Sequence, residues 1–281
     1  MKKIFLLINL LYLIQIPASL YGSENTVNIY SARKEELILP LLKIFKKKTG
    51  INYKLITGKA DGLLKRLEIE GKLSPADVFI TVDAGRLQRA KTANILQPIA
   101  SKFLSERVPS NLRDVDNYWF GLSQRSRTII YNKNAVDIST LESYENLADP
   151  KWKGKLCIRS SSSIYNQSLV ASMIVANGIA KTETWAKGLV KNFARPPAGG
   201  DTDLLKATAA GQCDIALANA YYLGRMKNSK SKEDRKASEN LLVFWPNQSE
   251  GDRGAHVNVS GAGVTKYSKN IKNAITLLEF L

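Results

Sequence analysis

The stretch from Cys213 to Arg225 reads CDIALANAYYLGR. Its apolar run, Ile215 to Ala218, has the length of a buried strand, and Asn219, a favoured N-cap residue, precedes the adjacent pair Tyr221 and Tyr222. A strand end, a turn and a helix start are therefore predicted in succession, and this is where open α/β sheets place their ligands. Both phenols then fall in a helical first turn, where unpaired backbone N–H groups favour negative charge. Phenolate is a hard oxygen donor, suited to a hard, highly charged ion such as ferric iron. Chance limits the weight of the pair: 11 tyrosines in 281 residues give about 0.4 adjacent pairs at random. By itself, Tyr-Tyr reads first as ordinary helix surface.

A second stretch repeats the pattern. Ile158 to Ser168, IRSSSSIYNQS, predicts a strand, a serine-rich turn in which Ser162 or Ser163 can cap, and Tyr165 in the first helical turn. Alone, Tyr165 is an ordinary half-buried helix residue; together the two stretches put three phenols at two strand ends. Cys157 and Cys213 each stand eight residues before a tyrosine, Tyr165 and Tyr221, which suggests neighbouring strands. They are the chain's two cysteines, and an even count in an exported protein is compatible with one disulfide or with two thiols.

Outward from these stretches the chain alternates strand and helix, so the class is α/β with a mostly parallel sheet. Strands are predicted at Val27 to Tyr30, Asn52 to Ile56, Val78 to Val82, Leu156 to Ile158 and Leu241 to Trp245. A helix from Glu35 to Thr49 shows an apolar face of Leu37, Ile38, Leu41, Leu42 and Phe45 and ends at Gly50. Another carries Leu63, Leu64, Leu67 and Ile69. Further helices are predicted at Ile164 to Asn177, Glu183 to Phe193 and Thr202 to Ala210, with Asn228 to Asn240 as a polar surface segment. Gly121 to Tyr131 is a long extended run with Arg125 and Arg127 on one face. Gly254 to Val264, GAHVNVSGAGV, is Gly-rich and extended, a candidate crossover between lobes. The apolar helical pattern Ile271, Ala274, Ile275 and Leu278 stops at Leu281 without a cap, so a truncated C-terminal end is expected.

Lys2 and Lys3, the apolar run Ile4 to Ile16, then Pro17, Ala18 and Ser19 have the order of a secretory signal peptide over residues 1–23, which directs the chain out of the cytoplasm. The remaining 258 residues (281 − 23) suffice for two modest domains. Net charge is +16, or +14 without the two leader lysines, and a balance this basic raises nucleic acid or membrane as partner. The lysines are scattered along amphipathic helices and no nucleic-acid-binding motif is present, so no nucleic-acid partner is expected. His256 is the sole histidine, which excludes a multi-histidine zinc site and a two-histidine, one-carboxylate iron site. Nor does any serine or cysteine show a recognisable nucleophile arrangement with it. The expectation is a binding protein rather than an enzyme; the rivals are a receptor for a small anion or polyamine, and an exported enzyme built on His256.

Six segments resemble the periplasmic ferric iron-binding proteins of ABC transporters: NIYSARKEELI (28–38), DVFITVDAGRL (77–87), YWFGLSQRSRTIIYN (118–132), RSSSSIYNQSLVASMI (159–174), CDIALANAYYLGRM (213–226) and HVNVSGAGV (256–264). The resemblance implies a two-lobed periplasmic binding protein of type II, mixed sheets joined by hinge strands, with lobe 1 over 24–122 and 254–281 and lobe 2 over 123–253. It implies that Tyr165, Tyr221 and Tyr222 ligate Fe³⁺, and that Arg125 lies near the metal, holding carbonate or another synergistic anion or an outer water. The implied partners are the ferric ion and an inner-membrane ABC permease, with the receptor a monomer. Many relatives carry a histidine ligand where this chain has Lys34 and Glu35. Glu35 is therefore the candidate first-lobe ligand, although the helix dipole alone also accounts for an acidic residue there.

Overall fold

The computed structural model describes residues 25–281; the expected leader lies outside them. The chain begins β1 (Thr26–Ser31), α1 (Glu35–Thr49), β2 (Asn52–Thr57), α2 (Ala60–Glu70), β3 (Val78–Val82), α3 (Ala84–Thr92), β4 (Leu96–Gln97) and α4 (Lys102–Arg107). It continues through β5 (Phe120–Asn132), β6 (Leu156–Cys157), α5 (Ile164–Asn177), α6 (Ile179–Lys191), α7 (Asp201–Ala209) and β7 (Ile215–Asn219). Last come α8 (Ala220–Lys227), α9 (Lys232–Ser238), β8 (Leu241–Phe244), β9 (Val257–Thr265) and α10 (Ile271–Phe280).

Strand order is β2-β1-β3-β9-β5-β7-β6, with β4 beside β9 and β8 beside β5. The parallel ladders are β1 with β2, β1 with β3, and β6 with β7. The other ladders, β9 with β3, β4 and β5, and β5 with β7 and β8, are antiparallel. The sheet is thus mixed, but it departs from a mostly parallel one: every antiparallel ladder contains β5 or β9, the two strands that run between the halves. In β5, Phe120 to Ser126 pair with β9, while Arg127 to Asn132 pair with β7 and β8. One strand therefore belongs to both halves, and the changeover falls at Arg127.

Each half is a sheet covered on both faces. Along β3, Val78 and Ile80 face the cluster that contains Ile38, Leu42, Phe45 and Leu277, whereas Phe79 faces the one with Leu63, Leu67 and Leu87. Along β7, Ile215 and Leu217 face Met173 and Trp185, whereas Ala216 and Ala218 face Leu204, Leu205 and Leu223. This two-residue alternation under helices on both sides is the doubly covered α/β arrangement. Glycine in β9 has a packing cause: a Cβ at Gly261 would stand 2.3 Å from the Phe120 carbonyl oxygen, and one at Gly263 would stand 2.5 Å from that of Tyr118.

Some expectations change. Leu37 and Leu41 of α1 and Ile69 of α2 are exposed, so the core stripe of α1 narrows to Ile38, Leu42 and Phe45, the residues that point straight at the sheet. The polar segment 228–240 contains α9, capped by the Ser231 hydroxyl accepting from the Asp234 N–H at 3.2 Å. Helix α6 starts at Ile179, because Gly178, at φ 78°, ends α5 and begins α6 in a single residue.

Cys157 and Cys213 form a disulfide with a Cα–Cα distance of 5.8 Å, closing a loop between residues 56 apart. A cross-link of that span stabilises chiefly by restricting the unfolded chain, by about 2–4 kcal/mol. Replacing both cysteines by alanine should lower the free energy of unfolding by that amount in urea titrations, with no change in the circular dichroism of the native state.

Candidate metal centre

The β6–β7 ladder sets the site. Because the two strands are parallel and adjacent, the helices that follow them, α5 and α8, begin on the same edge of the sheet. Tyr165 occupies the first turn of α5, and Tyr221 and Tyr222 that of α8. All three line one cleft of about 510 Å³, within the range of small-ligand sites. The Tyr221 and Tyr222 rings stack with centroids 4.3 Å apart. Asn219 stands at the N-cap as expected, but its side chain makes no capping hydrogen bond.

Burial, and after it the neighbouring Tyr165, pushes the Tyr221 hydroxyl well above the ordinary phenol range. Burial likewise raises Tyr222, with Tyr165 and Asp201 adding to the effect. Two buried phenols that resist ionisation, beside the third at Tyr165, form a pocket whose anionic state needs a compensating multivalent cation. Among the described residues, no three His, Cys, Asp or Glu side chains gather as a metal site. The hard-donor cluster is phenolic.

Behind Tyr165 lies a concentration of positive charge. The guanidinium carbons of Arg125, Arg159 and Arg127 stand 5.0, 5.3 and 5.8 Å from its ring centroid. Arg125 donates to Asp83 at 2.9 Å and to the Ser260 hydroxyl at 3.2 Å. Arg127 is buried and donates to Asp201 at 2.8 Å and to the Asn166 amide oxygen at 2.8 Å. Arg125 thus stands against the ring of Tyr165 and is paired with a buried carboxylate. Arg127, Arg159, Asp83 and Asp201 belong to the same assembly, and spacing alone had singled out only Arg127. The carboxylates sit at element ends, where a lone Asp reads as a cap.

The wall facing the tyrosines is built around the start of α1. Glu35 lines a neighbouring groove with Lys59, Asp61 and Arg86, whereas Arg33, Lys34, Glu36 and Leu37 face the tyrosines. Successive residues on a helix point about 100° apart, so α1 turns Glu36, not Glu35, into the cleft. Arg33 donates to the Ser123 hydroxyl at 3.1 Å and Lys34 pairs with Glu36 at 3.4 Å. With Arg225 over the Tyr222 ring at 5.6 Å, this rim is predominantly cationic.

His256 immediately precedes β9, its backbone N–H donating to the Tyr144 hydroxyl at 3.0 Å. Burial, reinforced by Arg125, Arg127 and Arg253, lowers its imidazole pKa to about 4. The folded protein therefore holds it neutral, while the unfolded chain takes a proton below pH ~6.5. Stability from this group is lost as pH falls from about 6.5 towards about 4, by about 3 kcal/mol; His256→Gln should flatten that part of the acid limb in denaturation curves. Asp201→Asn, which strands the buried Arg127 charge, should cost about 3–5 kcal/mol in urea unfolding.

A family model for bacterial extracellular solute-binding proteins matches residues 29–281. The chain is 50% identical over 260 residues to iron uptake protein A1 of Synechocystis sp., covering 92% of this chain and 72% of that protein. It is 31% identical to the major ferric iron-binding protein of Neisseria meningitidis serogroup B, over 91% of this chain and 75% of that one. Among solved structures, a Trichodesmium protein (IdiA, FutA) in complex with iron and citrate ligands superposes with a TM-score of 0.87 at 53% identity, covering 91% of this chain and 80% of that one. The two-lobed α/β fold and the sequence similarity together place this chain in the family of bacterial extracellular solute-binding proteins.

Proposed function

We propose that this chain is a periplasmic receptor that captures ferric ion through the phenolates of Tyr165, Tyr221 and Tyr222 and delivers it to an inner-membrane ABC permease. The observation that carries the reading is the convergence of three phenols, from two separate helix starts, on one cleft. Similarity to iron uptake and ferric iron-binding proteins supports the choice of ion. The role is ligation without catalysis, and the receptor acts as a monomer. Lobe 1 comprises residues 24–122 and 254–281 and lobe 2 residues 123–253, hinged where β5 and β9 cross.

Three phenolates match the charge of Fe³⁺, and the ion stabilises them as metals stabilise other deprotonated ligands. The protons they lose must leave the cleft, so uptake is favoured by rising pH and release by acid, by lobe opening, or by reduction to Fe²⁺, which binds phenolate more weakly. The opposite wall holds Arg33 and Lys34, which suit an anion better than a metal. Carbonate or another small oxyanion completes the coordination, held by this basic rim and by Arg125 beside Tyr165. Glu35 is not part of the proposed ligand set.

Purified protein given ferric ion with bicarbonate should show a visible phenolate-to-iron charge-transfer band. Tyr221→Phe or Tyr222→Phe should weaken iron binding at least about tenfold, the loss of one charged ligand interaction, and the triple replacement with Tyr165→Phe should abolish the band. A band that survives the triple replacement would refute the tyrosine site.

A further inference from the structure

Asp83 ends β3 and caps α3 with φ 85°, a backbone region uncommon for residues other than glycine. Its side chain is buried, and its oxygens collect four donors from four different elements. Oδ1 accepts from the Gly85 N–H of α3 at 3.0 Å and from the Ser168 hydroxyl of α5 at 2.6 Å. Oδ2 accepts from Arg125 of β5 at 2.9 Å and from the Asn258 amide of β9 at 3.1 Å. One carboxylate thus ties a helix of the first half to a helix of the second, and to both strands that cross between them. An unfavourable backbone angle maintained at so over-determined a position is the kind of observation from which a functional role is inferred.

The contacts converge on Tyr165. Ser168 follows it by three residues on α5, so phenol and hydroxyl occupy the same helix face, one turn apart. Arg125, anchored by the other carboxylate oxygen, stands against the Tyr165 ring at 5.0 Å. Asp83 therefore holds the tyrosine from two directions, through the backbone of its helix and through the guanidinium on its ring.

We propose that Asp83 is a positioning residue that couples lobe closure to the presentation of Tyr165. With the Asp83–Ser168 bond made, α5 is drawn onto the start of α3 and Tyr165 faces the cleft; when the bond breaks, Tyr165 withdraws with the second lobe. A carboxylate that merely neutralises Arg125 would need no bond to Ser168. The iron-release half of the test rests on the tyrosine reading above; the scattering half does not.

The informative variant is Ser168→Ala, which leaves the Asp83–Arg125 pair and every proposed ligand in place. Expected are an unchanged charge-transfer wavelength, removal of iron by excess EDTA about tenfold faster, the scale of a lost hydrogen bond to a charged group, and a larger radius of gyration of the iron-free protein by small-angle X-ray scattering. Ser168→Thr, which keeps the hydroxyl, should restore the wild-type values. Asp83→Asn should open the iron-free protein further, and a variant that fails to fold is replaced by the serine pair. Wild-type scattering from iron-free Ser168→Ala overturns the proposal. Absence of the band in the wild-type protein defeats the tyrosine reading alone, because the scattering comparison still decides the role of Asp83.

Discussion

The two buried ion pairs at the changeover in β5, Arg125 with Asp83 and Arg127 with Asp201, are the interaction on which the rest of this structure depends. Side chains two apart on a strand share a face, so both arginines point to the same side while their carboxylates come from different halves. Asp83 belongs to the end of β3, and Asp201 to the start of α7. Burying such charges gains little net stability, since desolvation offsets much of the Coulomb attraction. What the pairs specify is geometry: where β5 leaves one half of the sheet, where it enters the other, and what lies beneath Tyr165.

This frame gives the cleft two walls of opposite chemical character. One presents Tyr221 and Tyr222, whose ionisation is opposed first by burial and then by Tyr165 beside them; the other presents arginine and lysine. On the proposed reading a multivalent cation would resolve the first and an oxyanion the second, and β5 and β9 set how the two walls meet.

Much of this was legible in the residues. The bounds of α1 and α5 follow from their apolar spacing and from Gly50 and Gly178. The Gly-rich run 254–264 read as extended, and β9 lies within it; that the carbonyls of Tyr118 and Phe120 crowd its glycines came only with the structure. Which of Glu35 and Glu36 lines the tyrosine cleft was not legible, because neighbouring acidic residues at a helix start look alike in sequence while they point in different directions. The preference for parallel strands failed because alternation of strand and helix does not reveal that β5 and β9 enter the sheet from the far side. Asp83 and Asp201 were missed because each is a single Asp at a helix start, explained locally by capping and the helix dipole.

By itself, the sequence determined the α/β class, the strand ends and helix starts that carry Tyr165, Tyr221 and Tyr222, and the positions of Cys157 and Cys213 ahead of them. Those are local properties, set by side-chain period, capping and chain direction. The tertiary structure alone decided that the three phenols share a cleft, that Glu36 rather than Glu35 faces them, and that Asp83 collects donors from four elements. Such features join residues as far apart as Asp83 and Asn258, which no local pattern brings together. Sheet register and the crossing of β5 and β9 do so, because pairing one strand with both halves fixes the mutual positions of everything attached to its two ends.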